Sequence, residues 1–138
     1  MKLEFDKFIH LKTVDSTNEF ANDYIDKNNN LDSFVITADF QKFGKGQLNN
    51  RWDSEEGKNL LISVVFSIKK NVSSQFDINV ISSLAVLDLL YGLKLENPKV
   101  KWPNDVLIGK KKIAGILIQN KIKGNMIYKS IIGLGLNV

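Results

Sequence analysis

Cysteine is absent from the 138-residue sequence. This absence excludes disulfide bonds, thiolate metal sites and cysteine nucleophiles, and it suits a reducing compartment. Long apolar runs are also missing, since none reaches the roughly 18 residues that a membrane-spanning helix requires. The N-terminal stretch MKLEFDKFIHLK is interrupted by charges and does not read as a secretion signal. We therefore expect a cytoplasmic protein that is not bound to a membrane.

Arginine is nearly absent as well, because Arg51 is the only arginine among the 19 basic residues. Bidentate hydrogen bonds from arginine to bases or phosphates are therefore not expected. A lysine-rich solvated surface explains the net charge of +4. We do not expect the protein to bind DNA.

The residues that are present predict one α+β domain over residues 1–138, with helices packed on one face of a mixed, mostly antiparallel sheet. A chain of this length buries roughly 70% of its unfolded surface, which is enough for a core. Alternating and β-branched stretches predict strands at Phe5–Val14, Phe34–Phe40 and Asn59–Ile68. The last of these is mostly apolar and is predicted to be buried on both faces.

Apolar spacing predicts two helices. The first follows Asp15 and ends at the asparagines of residues 28–30. The second is capped by Asp77 and runs to about residue 93. Its buried stripe is predicted to consist of Val80, Leu84, Leu87 and Tyr91. After Pro98, turn residues separate short apolar runs, which predicts a meander of antiparallel strands.

The first stretch that could carry chemistry is DSTNE, Asp15–Glu19. Ser16 and Glu19 have the spacing of a capping box, which stabilises a helix by about 1 kcal/mol and needs no ligand. A strand that runs directly into a helix N-terminus also leaves N–H groups and hydroxyls facing one crevice. Helix capping and binding of a small polar ligand are therefore both open for this stretch.

The second stretch is Gln41–Asn59, which contains the segment GKG at residues 44–46. Its two glycines let backbone amides approach a phosphate, and its lysine and Arg51 add charge. It is neither a Walker A loop nor a dinucleotide fingerprint, because no GK[ST] follows and Asn49 replaces the third glycine. A phosphate cradle and a flexible surface loop are both compatible with this pattern. Trp52 favours function, since an exposed indole is costly and could cover an aromatic base.

The third stretch is KWPND, residues 101–105, followed by GKKKIAG. Its turn leaves Asp105 at a loop-to-strand junction, where the carboxylate could meet magnesium or cap the backbone. In the following hairpin, alternation sends Lys112 and Ile113 to opposite faces. Lys112 then lies beside the space that Gly115 leaves, as a point charge for a carboxylate or an α-phosphate.

The fourth stretch is GLGLN, Gly133–Asn137. Glycines at alternate positions of a strand clear one of its faces, so a ligand or another backbone could approach closely there. A β-bulge explains the two glycines equally well.

In this order and spacing, the four stretches resemble the biotin protein ligase catalytic domain, from about Ser16 to Asn137. The most specific matches are KWPND at residues 101–105 and KIAGIL at residues 112–117. The resemblance implies a fold like that of class II aminoacyl-tRNA synthetases. It also implies two half-reactions: biotin and ATP, with Mg²⁺, give biotinyl-5′-adenylate, and biotin then passes to a lysine of the carboxyl-carrier domain of acetyl-CoA carboxylase or a related carboxylase.

The resemblance also assigns roles to individual residues. Lys112 is the implied catalytic residue and Asp105 an implied magnesium ligand. The residues implied for biotin are Ser16, Thr17, Asn18, Gln41, Lys45, Gly46, Gln47, Lys112 and Gly115. The residues implied for ATP or the adenylate are Gly44, Lys45, Arg51, Trp52, Asn104, Lys112 and Asn137.

The sequence departs from this family in the glycine loop, where Gln47 and Asn49 stand in place of an arginine and a glycine. Only about fifteen residues precede the STN motif, so a repressor function is not expected, and the family continues beyond GLNV. Family members often dimerise, which makes a homodimer a further expectation. Two other functions stay open: a lipoate–protein ligase or octanoyltransferase of the same fold, and a non-enzymatic nucleotide-binding module.

Overall fold

The computed structural model describes residues 4–137 and contains seven strands and two α-helices over that range. In chain order the elements are β1 Lys7–Val14, α1 Thr17–Lys27, β2 Ser33–Gln41, β3 Asn59–Asn71, α2 Gln75–Gly92, β4 Pro98–Lys101, β5 Asp105–Ile108, β6 Lys111–Lys123 and β7 Met126–Asn137.

All seven strands form one sheet in the order β1-β2-β3-β7-β6-β5-β4. Only β1 and β2 are parallel, because α1 connects them as a crossover, and every other neighbouring pair is antiparallel. The predicted α+β class with a mixed, mostly antiparallel sheet is therefore confirmed. Tight turns join the last strands, with Gly109 and Gly124 at φ +61° and +64°, a backbone conformation that glycine adopts without strain.

The two helices cover opposite faces of the sheet. Ala21 and Ile25 of α1 pack in a core with Ile131, whereas Val86 of α2 packs in a second core with Leu136. Ile131 and Leu136 lie five positions apart on β7, so their side chains point to opposite faces. The prediction that both helices pack on one face is wrong. The strands are apolar at odd and even positions alike, so both faces need cover.

The apolar stripe predicted for α2 is confirmed only in part, since Leu87 packs against the core and Val80 is half-buried. The helix begins at Gln75, so Asp77 lies in its first turn and does not cap it. Leu84 and Tyr91 are 55% and 57% exposed, because α2 carries large apolar side chains on all sides and their spacing does not single out one face. The residues that α2 buries are Ser82, Ser83, Val86 and Leu90. Within residues 4–137, neither helix is long and apolar enough to cross a membrane.

Candidate functional site

The N-terminus of α1 is anchored in the sheet. Ser16, Thr17 and Asn18 are all buried, with at most 4% of their surface exposed. Ser16 is the N-cap, and its Oγ accepts a hydrogen bond from the Glu19 N–H at 3.4 Å. Glu19 does not complete the capping box, because its carboxylate pairs with the Lys45 ammonium. The capping prediction is thus confirmed for Ser16.

A buried hydrogen-bond network links this helix end to three strands. The Thr17 N–H donates to Gln41 Oε1 of β2 at 2.8 Å. Ser63 of β3 lies 2.7 Å from Thr17 Oγ1 and 2.6 Å from Asn18 Oδ1. Asn18 Nδ2 donates to β6, to the Leu117 carbonyl and to Gln119 Oε1, both at 3.2 Å. Of the residues assigned to biotin by the resemblance, Thr17 thus contacts Gln41 directly and Asn18 joins Thr17 through Ser63, whereas Ser16 only caps the helix.

Three glycines form a floor beside this network. Gly115 of β6 pairs directly with Gly135 of β7, on the same face as α1. A Cβ at Gly135 or Gly115 would meet the Trp52 indole at 2.4 or 2.8 Å, and a Cβ at Gly133 would meet Asn18 at 2.3 Å. The strand register is regular at these residues, so no β-bulge explains them. Here the glycines make room for side chains, and the Trp52 indole lies where a ligand was expected.

The glycine-containing loop is folded as a tight hairpin. Trp52 N–H donates to the Gly44 carbonyl at 2.8 Å, and Gly46 N–H donates to the Asn50 carbonyl at 2.7 Å. Because Gly46 uses its N–H inside the loop, that amide is not free for a phosphate in this arrangement. Arg51 is largely exposed, and its Nε lies 3.0 Å from Asp53 Oδ1.

The opposite end of the site is charged. Lys112 Nζ lies 2.8 Å from Asp105 Oδ1 and 5.2 Å from the centroid of the Trp52 ring. Ile113 packs on the α2 side of the sheet and Lys112 on the other, as predicted, but a register shift breaks the alternation because Ala114 packs on the α2 side as well. Asn104 is bound to β6, since its Nδ2 donates to the Ile116 carbonyl at 3.0 Å and so fixes the turn that carries Asp105.

Asp105 has no companion for a metal site. Within residues 4–137, no three His, Cys, Asp or Glu side chains come together as metal ligands would. Among these residues Asp105 is therefore not part of a three-ligand protein site. That is the pattern for Mg²⁺ bound mainly by the phosphates of a nucleotide.

The network, the floor, the loop and the charged end enclose a cavity of about 160 Å³. It brings together all the residues assigned by the resemblance except Gly44, which is buried under the Trp52 carbonyl, and Asn137, at the exposed end of β7. Sequence reasoning missed Ser63 and Gln119. The only signal for Ser63 was a polar residue within a mostly apolar strand, and Gln119, which is exposed, gave none.

The arrangement is that of a small-molecule site. A buried polar network, apolar walls and an ammonium at the far end suit a ligand with a hydrogen-bonding head and an anionic tail. The sequence profile of the biotin/lipoate A/B protein ligase family matches residues 10–137, and the chain belongs to this family.

Curated relatives include the bifunctional ligase/repressor BirA of Escherichia coli, 28% identical over 128 residues, or 93% of this chain and 39% of BirA. The biotin–[acetyl-CoA-carboxylase] ligase of Mycobacterium tuberculosis is 31% identical over 112 residues, or 78% of this chain and 40% of that protein. The chain thus spans about two fifths of the length of these relatives.

Solved structures have the same fold. The biotin protein ligase of Aquifex aeolicus, in complex with biotin and ATP, is 30% identical with a TM-score of 0.71, over 97% of this chain and 53% of that one. The ligase of Leishmania major, in complex with biotinyl-5-AMP, is 25% identical with a TM-score of 0.71, over 96% of this chain and 57% of that one.

Proposed function

We propose that this chain forms the catalytic part of an ATP-dependent biotin–protein ligase. It forms biotinyl-5′-adenylate and transfers biotin to a lysine of a carboxyl-carrier domain. The observation that carries the proposal is the position of Lys112 at the end of the cavity opposite the Ser16–Asn18 network. The named activities of the relatives support it.

The polar end of the cavity suits the ureido ring of biotin. A cyclic urea presents two N–H donors and one carbonyl acceptor, and such a ring needs a matching set of buried polar groups. Thr17, Asn18 and Gln41 supply hydroxyl and amide groups at that end. Leu117 and Trp52 are among the apolar residues that line the cavity beyond them.

The charged end suits the reacting carboxylate. In the first step the biotin carboxylate attacks the α-phosphorus of MgATP, a new P–O bond forms, and pyrophosphate leaves with the electrons of the broken bond. Lys112 faces the charge that develops on the α-phosphate. Its pair with Asp105 is partly exposed, at 44% and 26%, and such pairs contribute about 0–1 kcal/mol. Substrate anions can therefore replace Asp105 as its partner at little cost.

In the second step the neutral amine of the acceptor lysine attacks the acyl carbon of the adenylate. An amide bond forms, the bond to AMP breaks, and the amine loses its proton. No nucleophile of this chain is needed, so positioning supplies the rate. We further propose that the chain acts on a carboxyl-carrier protein and forms a homodimer. We propose a cytoplasmic location because ATP is a substrate.

Trp52 must move for the nucleotide to enter. The cavity is smaller than the roughly 300 Å³ at the lower end of ligand pockets, since the indole lies on the glycine floor. Its Nε1–H is buried without a hydrogen-bond partner, so no hydrogen bond of the ring stabilises this position of the indole. We expect the indole to move from the floor when biotin and ATP bind, and to stack on the adenine base.

The test is mass spectrometry of the acyl-adenylate formed by the purified chain with ATP, Mg²⁺ and biotin, with lipoate in its place, or with neither acid. Biotinyl-5′-adenylate, formed only with biotin, is expected. Lipoyl-adenylate alone would replace the proposal by a lipoate ligase. Binding of ATP without any adenylate would favour the nucleotide-binding module.

A further inference from the structure

The buried network has fewer hydrogens than contacts. Three oxygen–oxygen contacts join Asn18, Ser63, Thr17 and Gln41 in a row, at 2.6, 2.7 and 3.0 Å. Only two hydroxyl hydrogens, one on Ser63 and one on Thr17, are available to bridge them. One of the three contacts therefore has no hydrogen between its oxygens.

The first hydrogen is fixed by Asn18. Both N–H groups of its amide donate to β6, so the oxygen that faces Ser63 can only accept. The Ser63 hydroxyl, which has no solvent exposure, must donate to it. The contact between Ser63 and Thr17, at 2.7 Å, is shorter than the 3.0 Å contact between Thr17 and Gln41, so we place the Thr17 hydrogen between Thr17 and Ser63.

The contact that lacks a hydrogen is consequently the one between Thr17 and Gln41, beside the cavity. If Thr17 donates to Ser63, Thr17 Oγ1 faces Gln41 Oε1 at 3.0 Å with no hydrogen between them. The Thr17 N–H already binds Gln41 Oε1, which keeps that oxygen turned toward Thr17. Thr17 and Gln41 both line the cavity, whereas Ser63 does not. A donor from the cavity can relieve the deficit.

We propose that Ser63 is a positioning residue that makes the site select a ligand head group with an N–H donor. This inference rests on the proposed function and explains a choice of substrate within it. A cyclic urea supplies an N–H to Thr17 Oγ1 or Gln41 Oε1, whereas a dithiolane ring has no hydrogen to donate. A site that lacks a donor from its ligand binds that ligand poorly, because its polar groups stay unpaired.

The test compares Ser63→Ala with Ser130→Ala. Ser130 is also a fully buried strand serine, but its hydroxyl has no partner, so its removal should leave binding unchanged. In Ser63→Ala the Thr17 hydrogen turns to Gln41 and the need for a ligand donor disappears. We expect the Kd of biotin to rise about tenfold, on the scale of one buried hydrogen bond, with kcat of adenylate formation within twofold. The Kd of lipoic acid should fall, because the variant no longer leaves an oxygen unpaired when the ligand has no donor.

Titration calorimetry with biotin and with lipoic acid gives both constants, and thermal unfolding confirms that the variants fold. If the alanine variant does not fold, Ser63→Cys, with a weaker donor of similar size, should raise the Kd of biotin by about threefold. An unchanged Kd of biotin in a folded Ser63 variant, or an equal loss for both acids, would overturn the role of Ser63 alone. A wild-type chain that forms no biotinyl-adenylate would overturn the proposed function as well.

Discussion

The two faces of the sheet are built from neighbouring residues but differ in the side chains that each requires. On the α2 face, Ala114 and Leu136 lie in a core of apolar side chains. Gly115 follows Ala114 on β6 and Gly135 precedes Leu136 on β7. Both glycines lie on the α1 face beneath Trp52. The α2 face needs only apolar volume. The site end of the α1 face needs particular hydrogen-bond partners, because a buried polar group without one is costly.

This difference separates stability from binding at the level of single residues. Substitutions on the α2 face should lower the free energy of unfolding and leave the rate of adenylate formation unchanged. Substitutions at the site end of the α1 face should lower binding or rate and have less effect on the free energy of unfolding.

The largest effect is expected at the charged end of the α1 face. Lys112→Ala removes the ammonium that faces the developing phosphate charge, and adenylate formation should fall by roughly 10²–10³-fold. Steady-state pyrophosphate release measures the rate. Lys111→Ala, one residue away and exposed, is the matched control and should keep the wild-type rate. A Lys112 variant at wild-type rate would exclude the assigned role.

The α2 face is tested by Leu136→Ala. Leu136 is 5% exposed, and its truncation leaves a cavity in the core, so the free energy of unfolding should fall by about 2–3 kcal/mol. Urea denaturation measures the loss. The Kd of biotin, measured where the variant is still folded, should change less than twofold. A large loss of affinity in the folded variant would show that the two faces are not independent.

The neighbouring residue tests the opposite face. A Cβ at Gly135 would lie 2.4 Å from the Trp52 ring, so Gly135→Ala must displace the indole. We expect adenylate formation to fall roughly tenfold, because a small misplacement at a site is costly in rate. The free energy of unfolding should fall by less than in Leu136→Ala. The reverse ranking of these two variants would contradict the comparison.

The smallest effect concerns pH and lies far from the site. Backbone N–H groups of Ser33 and Asp32 donate to Asp6 and hold the pKa of its carboxyl below 3.8. Its contribution to stability is complete above pH 3.8 and is lost as the pH falls through the lower pKa of the folded state. Asp6→Asn should therefore lose less stability than wild type between pH 4 and about pH 2. Thermal unfolding across this range would refute the assignment if both curves fell in parallel.

Local patterns were sufficient for most of the fold. Alternation, turn glycines and β-branched residues predicted the strands, because these signals act within a few residues. The buried side of α2 could not be predicted, since a helix with apolar residues on all sides has no preferred face. The order of motifs indicated the site, but it could not place Trp52 on the glycine floor.

Non-local pairing accounts for what was missed. Ser63 matters because β3 lies beside the end of α1, which is distant in sequence. Lys129 is a second case, a lysine only 5% exposed that donates to the Leu31 carbonyl and Ser67 Oγ. Burial lowers its pKa. Neither position differs in sequence from an ordinary polar residue on a strand, so only the assembled sheet reveals its role.

If the α1 face activates biotin with ATP, the purified chain exchanges labelled pyrophosphate into ATP in the presence of biotin. We expect this exchange to be lost in Lys112→Ala, to be retained in folded Leu136→Ala, and to be absent when lipoate replaces biotin. Exchange without biotin, or biotin-dependent exchange at the same rate in Lys112→Ala, would contradict this role of the α1 face.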